Sequence, residues 1–122
     1  MNICSYVRKM TKIHALRPRP RTLSDDHAAE LADLFRLLGD ATRLRIVLAC
    51  LEAPVPVGEI AARLGLSGSL VSHHLRLLRA ASIVRAERQG KQVFYAAADD
   101  HVRRIVADMM EHMAEPKSEE DA

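Results

Sequence analysis

The stretch VGEIAARLGLSGSLVSHHLRLLRAASIV, residues 57–84, decides the fold. Its apolar positions recur at helical spacing on both sides of the segment GLSGS, so it predicts a short helix, a tight turn and a second helix. Ser67 is suited to cap the second helix. The apolar stripe of that helix consists of Leu70, Val71, Leu75 and Leu78. A short glycine-containing bend between two helices is typical of a helix-turn-helix.

The next segment, SIVRAERQGKQVFYAAA (residues 82–98), predicts a β-hairpin whose tip lies near Gly90. Upstream, Ser24 and Asp40 are expected to begin two further helices. Downstream, DDHVRRIVADMMEHMAEP (residues 99–116) supplies the last helix. A helix-turn-helix followed directly by a two-stranded ribbon predicts a winged helix-turn-helix, a fold that is mainly α with a small β-hairpin.

The length of 122 residues fits one domain, which we place at residues 23–115. A flexible basic arm (1–22) precedes it, and an acidic disordered tail (116–122) follows it. The first 21 residues contain no acid and hold Arg8, Lys9, Lys12, Arg17, Arg19 and Arg21. Such an arm suits an anionic partner such as nucleic acid, but it also fits a solvated tail, and composition leaves both interpretations open.

Composition excludes several classes of protein. Hydrophobic residues make up 48% of the chain and aromatic residues only 3%, which predicts an aliphatic core between packed helices. There is no apolar run of about 18 residues and no continuous apolar signal region, so a cytoplasmic location is expected. Cys4 and Cys50 are too few and too separated for a disulfide framework or a CxxC zinc site. Cys50 lies in an apolar run and is expected in the core.

The second helix of the helix-turn-helix should present polar residues to a DNA groove. Its outward residues are Ser69, Ser72, His73, Arg76 and Arg79. Hydroxyls and an imidazole near its start can reach base edges, while the arginines can hold phosphates. Three basic residues flank the hairpin tip, namely Arg85, Arg88 and Lys91. Basic residues on both helix and ribbon favour double-stranded DNA as the partner over an ordinary polar surface.

The last helix carries an apolar stripe with metal-ligand residue types along one edge. The stripe consists of Val102, Ile105, Val106, Met109, Met110 and Met113, and it predicts packing or a dimer seam. At about 100° per residue, His101, His112 and Glu115 share one edge of that stripe. Asp99 is expected at the N-cap, where its carboxylate can swing towards His101.

One chain cannot close a metal site from these residues, because His101 and His112 are roughly 16 Å apart along the axis. If the helix packs antiparallel on a symmetry mate, Asp99 and His101 meet His112 and Glu115 of the partner subunit, giving two tetrahedral N2O2 sites that suit Zn(II). Spacing alone also allows a helix cap and solvated side chains beside a dimer seam. Asp100 is expected to be a solvated first-turn acid.

Three segments together resemble the ArsR/SmtB family of metal-responsive repressors. They are LFRLLGDATRLRIVLACL, the stretch 57–84 and RQGKQVFYAA, and the similarity spans roughly residues 28 to 115. The resemblance implies a homodimer of winged helix-turn-helix units, joined through terminal helices, that represses its own operon until an inducer binds. It places Ser69, Ser72 and His73 where relatives touch bases. Gly68 departs from the pattern, since many relatives carry a polar side chain there.

The resemblance also implies the inducer. One metal-site type of the family uses a D-x-H…H-x-x-E/H arrangement on the last helix, and Asp99, His101, His112 and Glu115 all match it. This implies Zn(II), or Co(II), as an allosteric effector that releases DNA. A thiolate site would need Cys-x-Cys in the third helix, where this chain has PVPVGEI. Three further residues are expected to be bystanders, although added nitrogen ligands would favour Ni(II) or Co(II); they are Cys4, His14 and His27.

Two other classes of protein remain as alternatives. One is a winged-helix regulator with a non-metal inducer, a small molecule or a redox signal acting through Cys4 or Cys50. The other is a zinc hydrolase, against which four protein ligands leave no open position for a water molecule. No nucleophile–base constellation appears elsewhere in the sequence. A regulator without enzymatic activity is therefore expected.

Overall fold

The computed structural model describes residues 22–116. In that part of the chain it shows five helices and a small sheet. In chain order the elements are α1 (Asp25–Leu38), α2 (Ala41–Ala49), β1 (Val55–Pro56), α3 (Val57–Leu64), α4 (Gly68–Ala80), β2 (Val84–Gln89), β3 (Gln92–Ala97) and α5 (Asp100–Ala114). The predictions for the basic arm, Cys4, His14 and the acidic tail concern residues almost all of which lie outside the described range.

Side-chain caps set where four of the helices begin. The side chains of Ser24, Asp40, Ser67 and Asp99 each accept a hydrogen bond from the backbone N–H three residues ahead, at 2.9 to 3.2 Å. Such caps satisfy N–H groups that have no partner inside the helix, and each contributes about 1 kcal/mol. The predicted helix starts are therefore confirmed.

The turn of the helix-turn-helix depends on Gly65. This residue ends α3 in the left-handed region, at φ +66°, where a side chain would be strained. The backbone N–H of Leu66 then donates to the carbonyl of Ala61 at 3.0 Å, which closes the end of α3 before Ser67 starts α4.

The core lies between the second half of α2, the inner faces of α3 and α4, and the sheet. Its fully buried side chains are aliphatic apart from one thiol: Ile46, Val47, Cys50, Ile60, Val71, Leu75, Leu78 and Val84. Burial raises the pKa of the Cys50 thiol to about 11, and its Sγ lies 3.4 Å from the carbonyl of Ile46, to which it donates. The prediction that Cys50 belongs to the core is confirmed.

The sheet has three strands, one more than the sequence predicts. β2 and β3 form the expected antiparallel hairpin, with Gly90 at its tip at φ +63°. β1 adds a third strand on the other side of β3, where Val55 pairs with Tyr95 and Pro56 with Phe94. Proline has no N–H to donate to a ladder, so this strand can lie only at a sheet edge. The mainly helical winged helix-turn-helix is thus confirmed, with the hairpin extended to three strands.

Within residues 22–116, no helix is long and apolar enough to cross a membrane.

Candidate metal centre and nucleic-acid interface

The start of α5 brings one carboxylate and one imidazole together. Asp99 is the N-cap, and its Oδ1 accepts from the Val102 N–H at 3.1 Å. Its other oxygen, Oδ2, lies 3.5 Å from Nδ1 of His101. Two ligands of a tetrahedral zinc ion, with bonds of about 2.0 to 2.1 Å, stand about 3.3 to 3.4 Å apart. The pair therefore fits two adjacent corners of such a site without rearranging the cap.

The end of α5 carries the second pair. His112 and Glu115 are both exposed, and Glu115 follows the last helical residue with its N–H donating to the carbonyl of His112 at 3.3 Å. Eleven residues of helix separate His112 from His101, or roughly 16 Å along the axis. Within residues 22–116 of one protomer, no three His, Cys, Asp or Glu side chains come close enough to hold an ion. The structure thus brings the side chains of Asp99 and His101 together, shows a backbone contact between His112 and Glu115, and does not join the two pairs within one protomer.

Asp100 is buried, so its interpretation as a solvated first-turn acid is wrong. Only 3% of the residue is exposed, and its Oδ1 accepts from Nη2 of Arg103 at 2.6 Å. Oδ2 lies 3.7 Å from Nη1 of Arg104. The hydrogen bond from Arg103 to Asp100 raises the pKa of the guanidinium above its ordinary value. The inward face of α5 begins one residue after the cap, and an acid on that face needs a paired base.

An apolar face runs across α1, α2 and α5 without cover from the described chain. α1 has 14 residues and none of them is buried. Phe35 is 49% exposed and Met113 is 81% exposed. Between the helices lies an open apolar groove of about 270 Å³, lined mainly by Phe35, Leu38, Leu44, Leu48, Ile105, Val106, Met109, Met110 and Met113. Single exposed apolar residues are ordinary, but a continuous patch of this kind marks an interaction surface.

All but one of the predicted DNA-reading residues are exposed. On α4, Ser69, His73, Arg76 and Arg79 are exposed, and Ser72 is half-buried. On the hairpin, Arg85, Arg88 and Lys91 are exposed. Arg88 lies beside the hairpin tip and donates from Nε to the carbonyl of Gly90 at 3.3 Å. Arg85 pairs with Glu87 at 3.2 Å but lies near the base of the hairpin, opposite Ala96, so the prediction that it flanks the tip is wrong.

Gly68, the first residue of α4, stands in open space. A Cβ added there would meet nothing within 4 Å. The glycine at this position is therefore not required by close packing, and the lack of a side chain leaves the backbone at the helix start uncovered. The backbone at the N-terminal end of α4 can be approached closely by a ligand, as glycine permits.

Sequence reasoning missed a link between α2 and α4. Nε of Arg43 donates to Nδ1 of His74 at 3.3 Å, and the rings of His73 and His74 are 5.7 Å apart. His74 is half-buried, so the two neighbouring histidines have different environments: His73 faces outward and His74 faces α2. A separation of 31 residues left no local pattern by which this contact could be predicted.

Comparisons with known proteins agree with this architecture. Residues 40–86 match the family described as bacterial regulatory protein, arsR family. A transcriptional repressor SmtB homolog from Synechocystis sp. is 36% identical over 97 residues, which cover 80% of this chain and 74% of that protein. The HTH-type transcriptional regulator CmtR of Mycobacterium bovis is 44% identical over 81 residues, 66% of this chain and 69% of the relative.

A solved structure of a winged helix-turn-helix domain also aligns with this chain. The homodimeric winged helix-turn-helix DNA-binding domain of a possible ArsR-family transcriptional regulator from Mycobacterium bovis aligns with a TM-score of 0.69 at 25% identity, covering 81% of this chain and 94% of that one. The chain therefore belongs to the arsR family of bacterial regulatory proteins and is a winged helix-turn-helix transcriptional regulator.

Proposed function

We propose that this regulator is a metal-sensing repressor, whose metal-free homodimer binds operator DNA and whose binding of Zn(II), or Co(II), releases that DNA. The observation that carries the proposal is the 3.5 Å separation between Oδ2 of Asp99 and Nδ1 of His101 on a helix that also displays an exposed apolar face. The first feature fits half of a zinc site, and the second calls for a second copy of the same helix.

The apolar face of α1 and α5 supports an isologous dimer. A second copy can cover Met109 and Met113 with its own identical face, and an antiparallel arrangement places the start of one α5 beside the end of the other. Asp99 and His101 then meet His112 and Glu115 of the partner subunit. Two imidazoles and two carboxylates complete a tetrahedral set, and symmetry makes two such sites.

The DNA-facing residues divide into two roles. Ser69, Ser72 and His73 lie at the start of α4 and are assigned to base edges in the major groove. The remaining residues are assigned to phosphates and to the wing contact with the backbone or minor groove: Arg76, Arg79, Arg85, Arg88 and Lys91. The two copies of α4 would read successive half-sites, so the spacing between them must match one turn of DNA.

The ligand residues couple the metal to that spacing. Asp99 and His101 of one subunit and His112 and Glu115 of the other would hold the ion, and their shared ligation would restrain the relative position of the two α5 helices. We assign one ring nitrogen of His112 to the ion and the other to a second hydrogen bond that would connect the site to α4. Coupling of this kind is worth typically one to three kcal/mol, or about 5- to 150-fold in DNA affinity.

The redox alternative has less support. Cys50 is fully buried with its pKa raised to about 11, which opposes both thiolate formation and access by an oxidant. Cys4 lies outside the described residues.

The test is DNA affinity by fluorescence anisotropy on the region upstream of the gene, with and without stoichiometric Zn(II). Tight binding that weakens at least about tenfold with zinc is expected. His112→Ala should keep the apo affinity and lose the zinc response. If zinc still releases DNA from that variant, or if wild-type affinity ignores zinc, the proposed function is wrong.

A further inference from the structure

A polar cluster with one buried member, Asp100, lies next to the proposed ligand pair at the start of α5. Asp100 lies between Asp99 and His101 in the sequence, with its side chain 1% exposed. Arg103 donates to Asp100 at 2.6 Å and, with its other terminal nitrogen, lies 3.5 Å from Oε2 of Glu52. Glu52 belongs to the loop between α2 and β1, so the three residues tie the start of α5 to the end of the core helix α2.

We infer that Asp100 is a positioning residue: through Arg103 and Glu52 it holds the start of α5, and with it Asp99 and His101, in the geometry that binds the metal. The inference rests on the proposed function. It assigns to Asp100 no contact with the ion.

The surroundings of Asp100 leave the position of the helix start dependent on this cluster. A cavity of about 50 Å³ adjoins it, lined among others by Glu52, Arg85, Asp99, Asp100 and Arg103. A helix start beside a cavity has fewer packing contacts on that side, and close packing is what otherwise determines position in a protein interior. The first-turn hydrogen bond from the Arg103 N–H to the carbonyl of Asp99 is long, at 3.4 Å. The contacts of Arg103 with Asp100 and Glu52 therefore help to determine the positions of Asp99 and His101.

Charge within the cluster strengthens the same conclusion. Oδ2 of Asp100 and Nε of Arg103 are buried and make no hydrogen bond within residues 22–116. Oδ2 relies on Arg104 at 3.7 Å for its balancing charge. Because a buried carboxylate requires a paired base, Asp100 and Arg103 must stay paired, and this pairing restrains the first turn of α5 on which both residues lie.

The experiment measures metal binding rather than DNA release. Zinc affinity by chelator competition and the visible absorption of bound Co(II) are compared in full-length wild type, Asp100→Asn and two controls. Asp108→Asn removes an exposed acid from the same helix. Val71→Ala truncates a fully buried side chain of α4 and lowers stability from a position outside α5 and outside the polar cluster.

Asp100→Asn is expected to weaken zinc binding about 10- to 100-fold, the usual effect of losing a residue that orients a ligand. The tetrahedral Co(II) absorption should fall with it, because the corners of the site no longer hold their spacing. Asp108→Asn should behave as wild type. Glu52→Gln, at the exposed end of the cluster, should cause a smaller loss of affinity in the same direction and cannot prevent folding, since the Glu52 side chain is 71% exposed.

The outcomes separate the two proposals. If wild type binds neither zinc nor Co(II), the proposed function fails. If wild type binds and Asp100→Asn binds equally well, the positioning role is wrong and the proposed function stands. If Val71→Ala weakens metal binding as much as Asp100→Asn, the effect is loss of stability and the inference is overturned. If Asp100→Asn does not fold, Glu52→Gln decides: wild-type affinity in that variant refutes the role.

Discussion

Mixing two defective variants tests whether each metal site is shared between subunits. His101→Ala removes an imidazole from the start of α5, and His112→Ala removes one from its end, roughly 16 Å away. In either homodimer both sites lack a ligand. In the mixed dimer, antiparallel pairing puts both defects into one site and leaves the other complete. The complete site takes its first pair from the His112→Ala chain and its second pair from the His101→Ala chain.

The expected capacity follows from counting. Purified mixed dimers, isolated by two different affinity tags, should bind one ion each, about half of the wild-type value for two symmetric sites. An unsorted mixture with random pairing contains about half mixed dimers and should reach about one quarter. The readout is Co(II) bound per dimer by visible absorption, followed by displacement with zinc.

A matched control places both defects in the same half of the helix. Mixed dimers of His101→Ala with Asp99→Asn lose one ligand from each site and should show no complete site. If the His101→Ala and His112→Ala mixture stays as defective as its parents, the ligand pairs do not meet across the two-fold axis and the arrangement is wrong. If the control mixture recovers binding, the recovery has another cause than shared sites.

Three further predictions concern caps, charge and pH. Asp99→Asn should retain the α5 cap and unfold in urea within a few tenths of a kcal/mol of wild type, whereas Asp99→Ala should lose about 1 kcal/mol; equal losses would show that the cap does not account for the effect. Arg76→Ala should reduce the slope of log DNA affinity against log salt by about 1, while Ser72→Ala should leave the slope unchanged, and the reverse would exchange their assigned roles. Burial raises the folded-state pKa of Cys50 to about 11, above its ordinary value of 9.0, so above pH 9 the unfolded chain loses the thiol proton before the folded chain does. The free energy of unfolding should therefore be unaffected by this group below pH 9 and fall by about 2 to 3 kcal/mol as pH rises from 9 through 11. Cys50→Ala should remove that alkaline decline from the unfolding free energy measured against pH, and an unchanged decline would assign it to other groups.

Local signals in the sequence were enough to predict the helices and the hairpin. Ser24, Asp40 and Ser67 each supply a cap whose hydrogen bond is local, so the sequence contains both partners within three residues. The core positions of α4 follow from helical period alone. The hairpin tip at Gly90 has a positive φ, and a glycine between two segments of high β-propensity predicts a turn of this kind.

Contacts over long sequence separation could not be predicted in this way. β1 is two residues long and contains a proline, so it gave no strand signal, and only its pairing with Tyr95 and Phe94 defines it. The Arg43–His74 bond and the Asp100–Arg103–Glu52 cluster join different elements and leave no period in the sequence. An acid is favoured at the start of a helix whether it is solvated or buried, so the position of Asp100 in the sequence does not predict its burial.

In the candidate metal site, geometry could be predicted one pair at a time. Asp99 at the N-cap, turned towards His101, follows from the cap preference and is present in the structure. The meeting of the two pairs depends on a second copy of the chain, and the sequence supports it only through the apolar stripe and the resemblance.

The two-residue strand β1 has a mechanical consequence. Leading directly into α3, it is hydrogen-bonded to β3, the central strand of the wing, so the helix-turn-helix and the wing share one sheet and one core. Two residues separate the end of β3 from the start of α5. A force on the start of α5 therefore acts close to the sheet that contains both the wing and the strand leading into α3. In the proposed dimer, a change at the start of α5 would then alter the angle between the two DNA-binding units rather than the internal arrangement of either one.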